Sequence, residues 1–295
     1  MFNGIITPIV TPFNRDKEQS INYEATKQII DRLISEGVKG IFALGSNGEF
    51  HVLTHDEKVN FAEKVVEFVD HRAPVFAGTG ACSTNEAVSL SKEMESVGVN
   101  ALSVINPYFI RPTDDELITY YTQIASSVKI PVILYNIPKN TGYSIPKEVV
   151  ARLAAVQNIV GIKDSSGDVE LLKEYISIAK KKNDFQVLIG SDSKISVAYK
   201  MGVKAAIAGT SNLIPQTLVN LNRALQNNEY EKAKDLQESI DVLRNVLKLG
   251  TVPSILKRSI ELAKIAPVGP ARHPVDEPND ATDGQLKEML HFYGL

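Results

Sequence analysis

The amino-acid sequence predicts an α/β fold, a closed (β/α)8 TIM barrel with a C-terminal helical extension. Three observations predict it. Eight short β-branched apolar runs alternate with eight longer amphipathic stretches, helix-start signals follow several of the runs, and the last part of the chain is helical in pattern.

The apolar runs are Ile5-Val10, Gly40-Leu44, Pro74-Ala77, Ala101-Ile105, Val132-Tyr135, Ile159-Ile162, Gln186-Ile189 and Ala205-Ala208. Between and after them, helices are expected at about Asn22-Ser35, Asp56-Val69, Asn85-Ser96, Asp114-Ser127, Pro146-Ala155, Val169-Lys182, Lys194-Met201 and Pro215-Gln226. Thr54-His-Asp-Glu57, Ser83-Thr-Asn-Glu86 and Thr113-Asp-Asp-Glu116 are capping-box patterns that start three of these helices. The barrel is thus assigned to residues 1–228. Residues 229–295 form an expected helical extension packed on it, with helices at Tyr230-Leu249, Pro253-Lys264 and Gln285-Phe292 and a Pro-rich connection from Pro267 to Pro278.

Composition narrows the function classes. Of 295 residues, 43% are hydrophobic and 23% charged, as in ordinary globular proteins. A net charge of -3 provides no basic field for a phosphate backbone, so nucleic acid is not an expected partner. Cys82 is the only cysteine, which rules out an intramolecular disulfide and suits a reducing compartment. The opening MFNGIITPIVTPF has no basic leader, and Pro8 and Pro12 interrupt its apolar run, so it does not read as a signal peptide. No apolar run approaches the roughly 20 residues of a membrane helix. The expectation is a cytoplasmic protein without a membrane partner.

In a barrel the chemistry sits where the strands end. Lys163 continues the run Ile159-Val-Gly-Ile162, where a solvated charge is out of place. Period-two alternation points Gly161, Lys163 and Ser165 the same way, and the glycine is expected to leave room for the lysine. Desolvation disfavours the ammonium form and frees an amine to attack a ketone and form an imine. The competing reading is an ion pair with Asp164 or another carboxylate. Tyr135 ends its run at the same end of the barrel and can relay protons, or can be a core tyrosine satisfied by one hydrogen bond. Ser46 and Asn47 lie in a Gly-flanked turn suited to a carboxylate, or simply to a tight turn. Lys139 is a rival nucleophile in an expected open loop. His51 and His55 lack partners at metal-ligand spacing, so no metal is expected, and no nucleotide-binding loop or nucleophile elbow is present.

Taken together, Gly45-Ser-Asn-Gly-Glu49, Tyr135-Asn-Ile-Pro138 and Gly161-Ile-Lys-Asp164, with Gly4-Ile-Ile-Thr-Pro8 and Gly78-Thr-Gly80, resemble the dihydrodipicolinate synthase / N-acetylneuraminate lyase superfamily of class I aldolases. The resemblance spans essentially the whole chain. It implies catalysis by Lys163 as the Schiff-base lysine, with Tyr135 and Ser46 relaying protons and Asn47, Ile207, Ser165 and Asn140 contacting substrate. It also implies no cofactor beyond the covalent imine on Lys163, pyruvate and an aldehyde as small-molecule partners, and a homotetramer or dimer. In such assemblies the segment holding Tyr108 and Phe109 reaches a neighbouring subunit's site.

Two departures bear on substrate. Phe109 stands where the family usually has a second tyrosine, and Asn140 where dihydrodipicolinate synthases carry an arginine for the carboxylate of aspartate semialdehyde. Gly45-Ser-Asn-Gly-Glu-Phe50 and Lys163-Asp-Ser-Ser-Gly167 look more like the 2-keto-3-deoxy sugar acid and 4-hydroxy-2-oxoglutarate aldolase branches. The expected function is therefore cleavage or formation of a C–C bond between pyruvate and an aldehyde, on a 2-keto-3-deoxy sugar acid or related hydroxy-2-oxo acid. The alternative is 4-hydroxy-tetrahydrodipicolinate synthase. A non-catalytic 2-oxo-acid-binding homologue is a third reading.

Overall fold

The computed structural model describes residues 2–295. Eight parallel strands close into a barrel in sequence order: β1 (Gly4–Pro8), β2 (Gly40–Ala43), β3 (Val75–Gly78), β4 (Ala101–Ile105), β5 (Val132–Asn136), β6 (Ile159–Asp164), β7 (Gln186–Ile189) and β8 (Ala205–Ile207). Around them run α1 (Tyr23–Ser35), α2 (His55–Val69), α3 (Thr84–Ser96), α4 (Asp114–Ser126), the short α5 (Pro138–Thr141), α6 (Lys147–Leu153), α7 (Val169–Ala179), α8 (Ile195–Lys200) and α9 (Pro215–Gln226). The extension is α10 (Tyr230–Val246), α11 (Val252–Leu262) and α12 (Asp280–Phe292).

The strands are buried on both faces, which is why they read as apolar runs. Phe2, Ile6, Phe42, Phe76, Ile133, Leu188 and Ile207 fill the inside, and a larger apolar shell joins the outside of the sheet to the helices. Strand β6 is longer than its apolar run. It carries Lys163 within the ladder, with Tyr135 of β5 and Leu188 of β7 as its register partners.

Two of the three helix-start signals form as expected, one of them although Arg272 also pairs with its glutamate Glu57. Thr54 and Thr113 both form complete capping boxes with Glu57 and Glu116. Ser83 precedes α3 but makes no capping bond, and Glu86 instead meets His55 Nδ1 at 2.9 Å while Glu93 meets Nε2 at 2.8 Å. These two carboxylates raise the pKa of His55 above its ordinary value. Helix α12 starts at Asp280 rather than Gln285, because the Asn279 side chain accepts the Thr282 N–H at 3.1 Å and caps a polar first turn. Helix α7 stops at Ala179, short of the expected Lys182.

The extension folds back onto the barrel, burying Ile240 and Leu243 of α10, Ile255, Leu256 and Ile260 of α11, and Leu286, Met289 and Leu290 of α12. Among the described residues no helix is long and apolar enough to cross a membrane.

Candidate active site

Lys163 is 3% exposed, and its Nζ stands 3.8 Å from the centroid of the Tyr135 ring and 5.0 Å from that of Phe42. Aromatic faces stabilise an ammonium without neutralising it and without taking its lone pair once it is deprotonated. Among the described residues no carboxylate pairs with this lysine. Strand alternation turns the neighbouring Asp164 to the opposite face, where it accepts bonds from Asn136 Nδ2 at 2.8 Å, from the Ser166 N–H at 3.1 Å and from Ser166 Oγ at 3.0 Å. Burial raises the Asp164 carboxyl above its ordinary range, and these bonds oppose the rise. The ion-pair reading of Lys163 is therefore wrong, and a buried amine without a fixed partner remains.

The loop after β2 brings Ser46 and Asn47 to the same place. Its turn is held by Leu44 and Glu49, both with positive φ, and Thr11 Oγ1 donates to the Gly48 carbonyl at 2.6 Å. Ser46 Oγ lies 3.4 Å from the Tyr135 hydroxyl, close enough for a shared proton path out of the barrel. Ser46, Asn47, Tyr135, Lys163, Ser165 and Ile207 all line one cavity of about 490 Å³ at the C-terminal ends of the strands.

The glycine that makes room for the lysine is Gly190 after β7, and not Gly161. A Cβ at 190 would stand 2.8 Å from Lys163 Cε and 2.1 Å from Ser165 Oγ, whereas one at 161 would strike the Gln186 carbonyl. Alternation within β6 placed Gly161 on the lysine's side, but the neighbouring strand supplies the wall that the side chain sweeps.

Asn140 does not line the cavity. The chain after β5 forms α5 instead of an open loop, and helical rotation of about 100° per residue leaves Asn140 exposed while its neighbour Lys139 faces the cavity. Tyr108 and Phe109 are also absent from this chain's own cavity: Tyr108 packs edge-on against Phe50 at 6.1 Å, and Phe109 is 85% exposed. Tyr143 donates its hydroxyl to the Pro107 carbonyl at 2.8 Å.

Several lining residues carried no role in the sequence reading. Asp192 accepts the N–H groups of Gly209 and Thr210 at 3.3 and 2.9 Å and so ties the β7 and β8 loops together. Its position in Gly190-Ser-Asp192, at a strand exit, was the available signal. Arg244, Lys248 and Leu256 reach the cavity from the extension, more than 30 residues beyond β8, and no local pattern marks them.

Known proteins are similar to this chain in fold and in sequence along its whole length. The model of the "Dihydrodipicolinate synthetase family" matches residues 1–292. A 4-hydroxy-tetrahydrodipicolinate synthase of Methanoculleus marisnigri is 35% identical over 294 residues, covering 100% of each chain. Among solved structures, the Escherichia coli K12 prophage protein YagE, described as a member of the dihydrodipicolinic acid synthase family and held in complex with pyruvate, superposes with a TM-score of 0.95 at 32% identity, covering 100% of this chain and 99% of that one. The dihydrodipicolinate synthase of Acinetobacter baumannii, also with pyruvate, gives 0.92 at 29% identity over 100% and 99% of the two chains. A match that leaves no strand or extension helix outside it places the chain in the dihydrodipicolinate synthetase family of pyruvate-dependent lyases.

Proposed function

We propose that the chain condenses pyruvate with aspartate semialdehyde, as a 4-hydroxy-tetrahydrodipicolinate synthase. The observation that carries the imine chemistry is Lys163, buried beside Tyr135 with no carboxylate partner. The semialdehyde is supported by relatives of that name aligned along the full chain. This reverses the order of the two readings drawn from sequence alone, which put the sugar-acid aldolase first.

In this reading Lys163 Nζ attacks the ketone carbon of pyruvate, and Tyr135 gives the proton with which the carbinolamine hydroxyl leaves as water. The resulting iminium acidifies the methyl group. Loss of a methyl proton gives an enamine, whose carbon attacks the aldehyde while the aldehyde oxygen takes a proton. The amine of the aspartate semialdehyde then adds to the iminium carbon, closing the ring and releasing Lys163 Nζ as the free amine. Ser46 extends the proton path, while Asn47 and the amides of its turn hold the pyruvate carboxylate.

The second reading, cleavage of a hydroxylated 2-oxo acid to pyruvate and an aldehyde, is favoured by Asn140, since the arginine of the synthases is missing there. Both readings share the lysine. Incubation with pyruvate and borohydride should leave a reduced adduct on Lys163, and no adduct, or one on Lys139, would refute both. Product formation from pyruvate and aspartate semialdehyde, set against pyruvate release from 2-keto-3-deoxygluconate, decides between them.

Phe109 and Ile110, 85% and 75% exposed and adjacent, support assembly with a second copy that covers them, in a dimer or tetramer. Sedimentation velocity at micromolar concentration should show such an oligomer, and a single monomeric species would remove this part of the reading.

A further inference from the structure

The cavity that holds Lys163 carries three further cations. Lys139 enters from α5, while Arg244 comes from the last turn of α10 and Lys248 from the single turn that follows it. Their exposure sets them at the open side, away from the buried Lys163.

They are poorly neutralised. Among the described residues no carboxylate pairs with Lys139 or Lys248, and Lys248 Nζ reaches only the amide oxygen of Asn245 at 2.8 Å. Arg244 has one carboxylate, Asp241 on its own helix, at 3.5 Å and largely in solvent. Asp192 is the one carboxylate lining the cavity, and backbone N–H groups already occupy it. A concave mouth with unpaired cations focuses a positive potential and favours anions over neutral molecules.

The carboxylate next to the ketone has the neutral donors of Ser46 and Asn47 beside Lys163. A separate set of cations, carried by different elements and more exposed than Lys163, is not needed for that carboxylate. It suits a second anionic group several bonds away.

We propose that Lys139, Arg244 and Lys248 form the specificity site for an anionic end group, carboxylate or phosphate monoester, on the aldehyde partner. This rests on the imine reading of Lys163. It moves the charge recognition lost at Asn140 to the adjacent residue and to the helical extension.

The test is steady-state kinetics of the full-length protein at saturating pyruvate, with aldehydes that differ in one end group. Succinic semialdehyde against butyraldehyde probes carboxylate, and glyceraldehyde 3-phosphate against glyceraldehyde probes phosphate. The anionic member of at least one pair should show a KM at least about tenfold lower, with the gap narrowing as salt rises. Whichever pair shows the gap identifies the group. Lys139→Gln with Lys248→Gln should shrink the preference several-fold by raising KM for the anionic aldehyde alone, and Lys139→Arg with Lys248→Arg should restore it. Equal KM values within both pairs, or a loss shared equally by charged and neutral aldehydes in the Gln variant, would overturn the proposal. Borohydride trapping separates the two failures: an adduct on Lys163 with no charge preference removes only the cationic site, whereas no adduct removes the lysine chemistry as well.

Discussion

Lys163→Met should abolish the reaction while leaving the fold intact. Methionine has nearly the length of lysine and suits the apolar walls of Tyr135 and Phe42, whose rings already surround the side chain. It cannot form an imine. Loss of a covalent nucleophile lowers kcat by about four orders of magnitude or more, the scale seen when catalytic nucleophiles are removed elsewhere. Borohydride should then leave no pyruvate adduct, and the melting temperature should stay within a few degrees of the parent. The informative companion is Lys163→Arg, which keeps a permanent positive charge at this position but has no free amine at neutral pH. If the lysine acts only as a charge that polarises the ketone, the Arg variant retains much of the activity. If it acts as a nucleophile, Arg fails as completely as Met. Appreciable turnover by Lys163→Arg would therefore reject imine chemistry here.

The lysine was legible because it violates a pattern: a charge inside an apolar run that a parallel barrel buries on both faces. Tyr135 was legible because it ends its own apolar run at the same end of the barrel, and the register does pair it with Lys163. Ser46 and Asn47 were marked by glycines on both sides. What strand and helix periodicity does not encode is the rotation of a short irregular segment. Asn140 was expected to contact substrate from its place in the family motif and Lys139 to lie in an open loop, whereas one turn of α5 puts Lys139 in the cavity lining and leaves Asn140 outside it. Nor does it encode contacts between distant segments. Arg244, Lys248 and Leu256 lie on the extension, and only its packing across the strand ends brings them to the cavity. Gly190 stood out at its strand exit, but the room it leaves for Lys163 was credited to Gly161, since Lys163 belongs to another strand. The capping boxes show the limit on a smaller scale. Thr54 and Thr113 obey the local rule, whereas Glu86 is claimed by His55 from a helix whose position no local pattern reveals.

That dependence on the extension gives the second large expectation. Lys257→Met should destabilise the protein by about 3–5 kcal/mol, the usual cost of leaving one member of a buried ion pair unpartnered. Lys257 of α11 is fully buried, and its Nζ lies 2.7 Å from Glu49 Oε1 while donating to the Pro270 carbonyl at 2.8 Å. It also stands 4.1 Å from the centroid of the Phe13 ring. Burial lowers its pKa to about 8, and the charge of Glu49 limits the fall. Glu49 is 2% exposed and accepts the Arg272 N–H at 2.8 Å through its second oxygen. It closes the turn that carries Ser46 and Asn47, so the extension holds the far end of the loop proposed to bind the pyruvate carboxylate. An unpaired Glu49 would seek water and pull that turn with it. Chemical denaturation should report the loss of stability, and pyruvate should bind with a raised KM even where the protein remains folded. The double variant Lys257→Met with Glu49→Gln separates pairing from packing, because a neutral amide no longer needs the ammonium. It should recover most of the stability lost in Lys257→Met, giving a coupling energy of a few kcal/mol in a double-mutant cycle. Additive losses in that cycle would mean that the two residues act independently, and the extension would then be a packed neighbour of the site rather than the support of its binding loop.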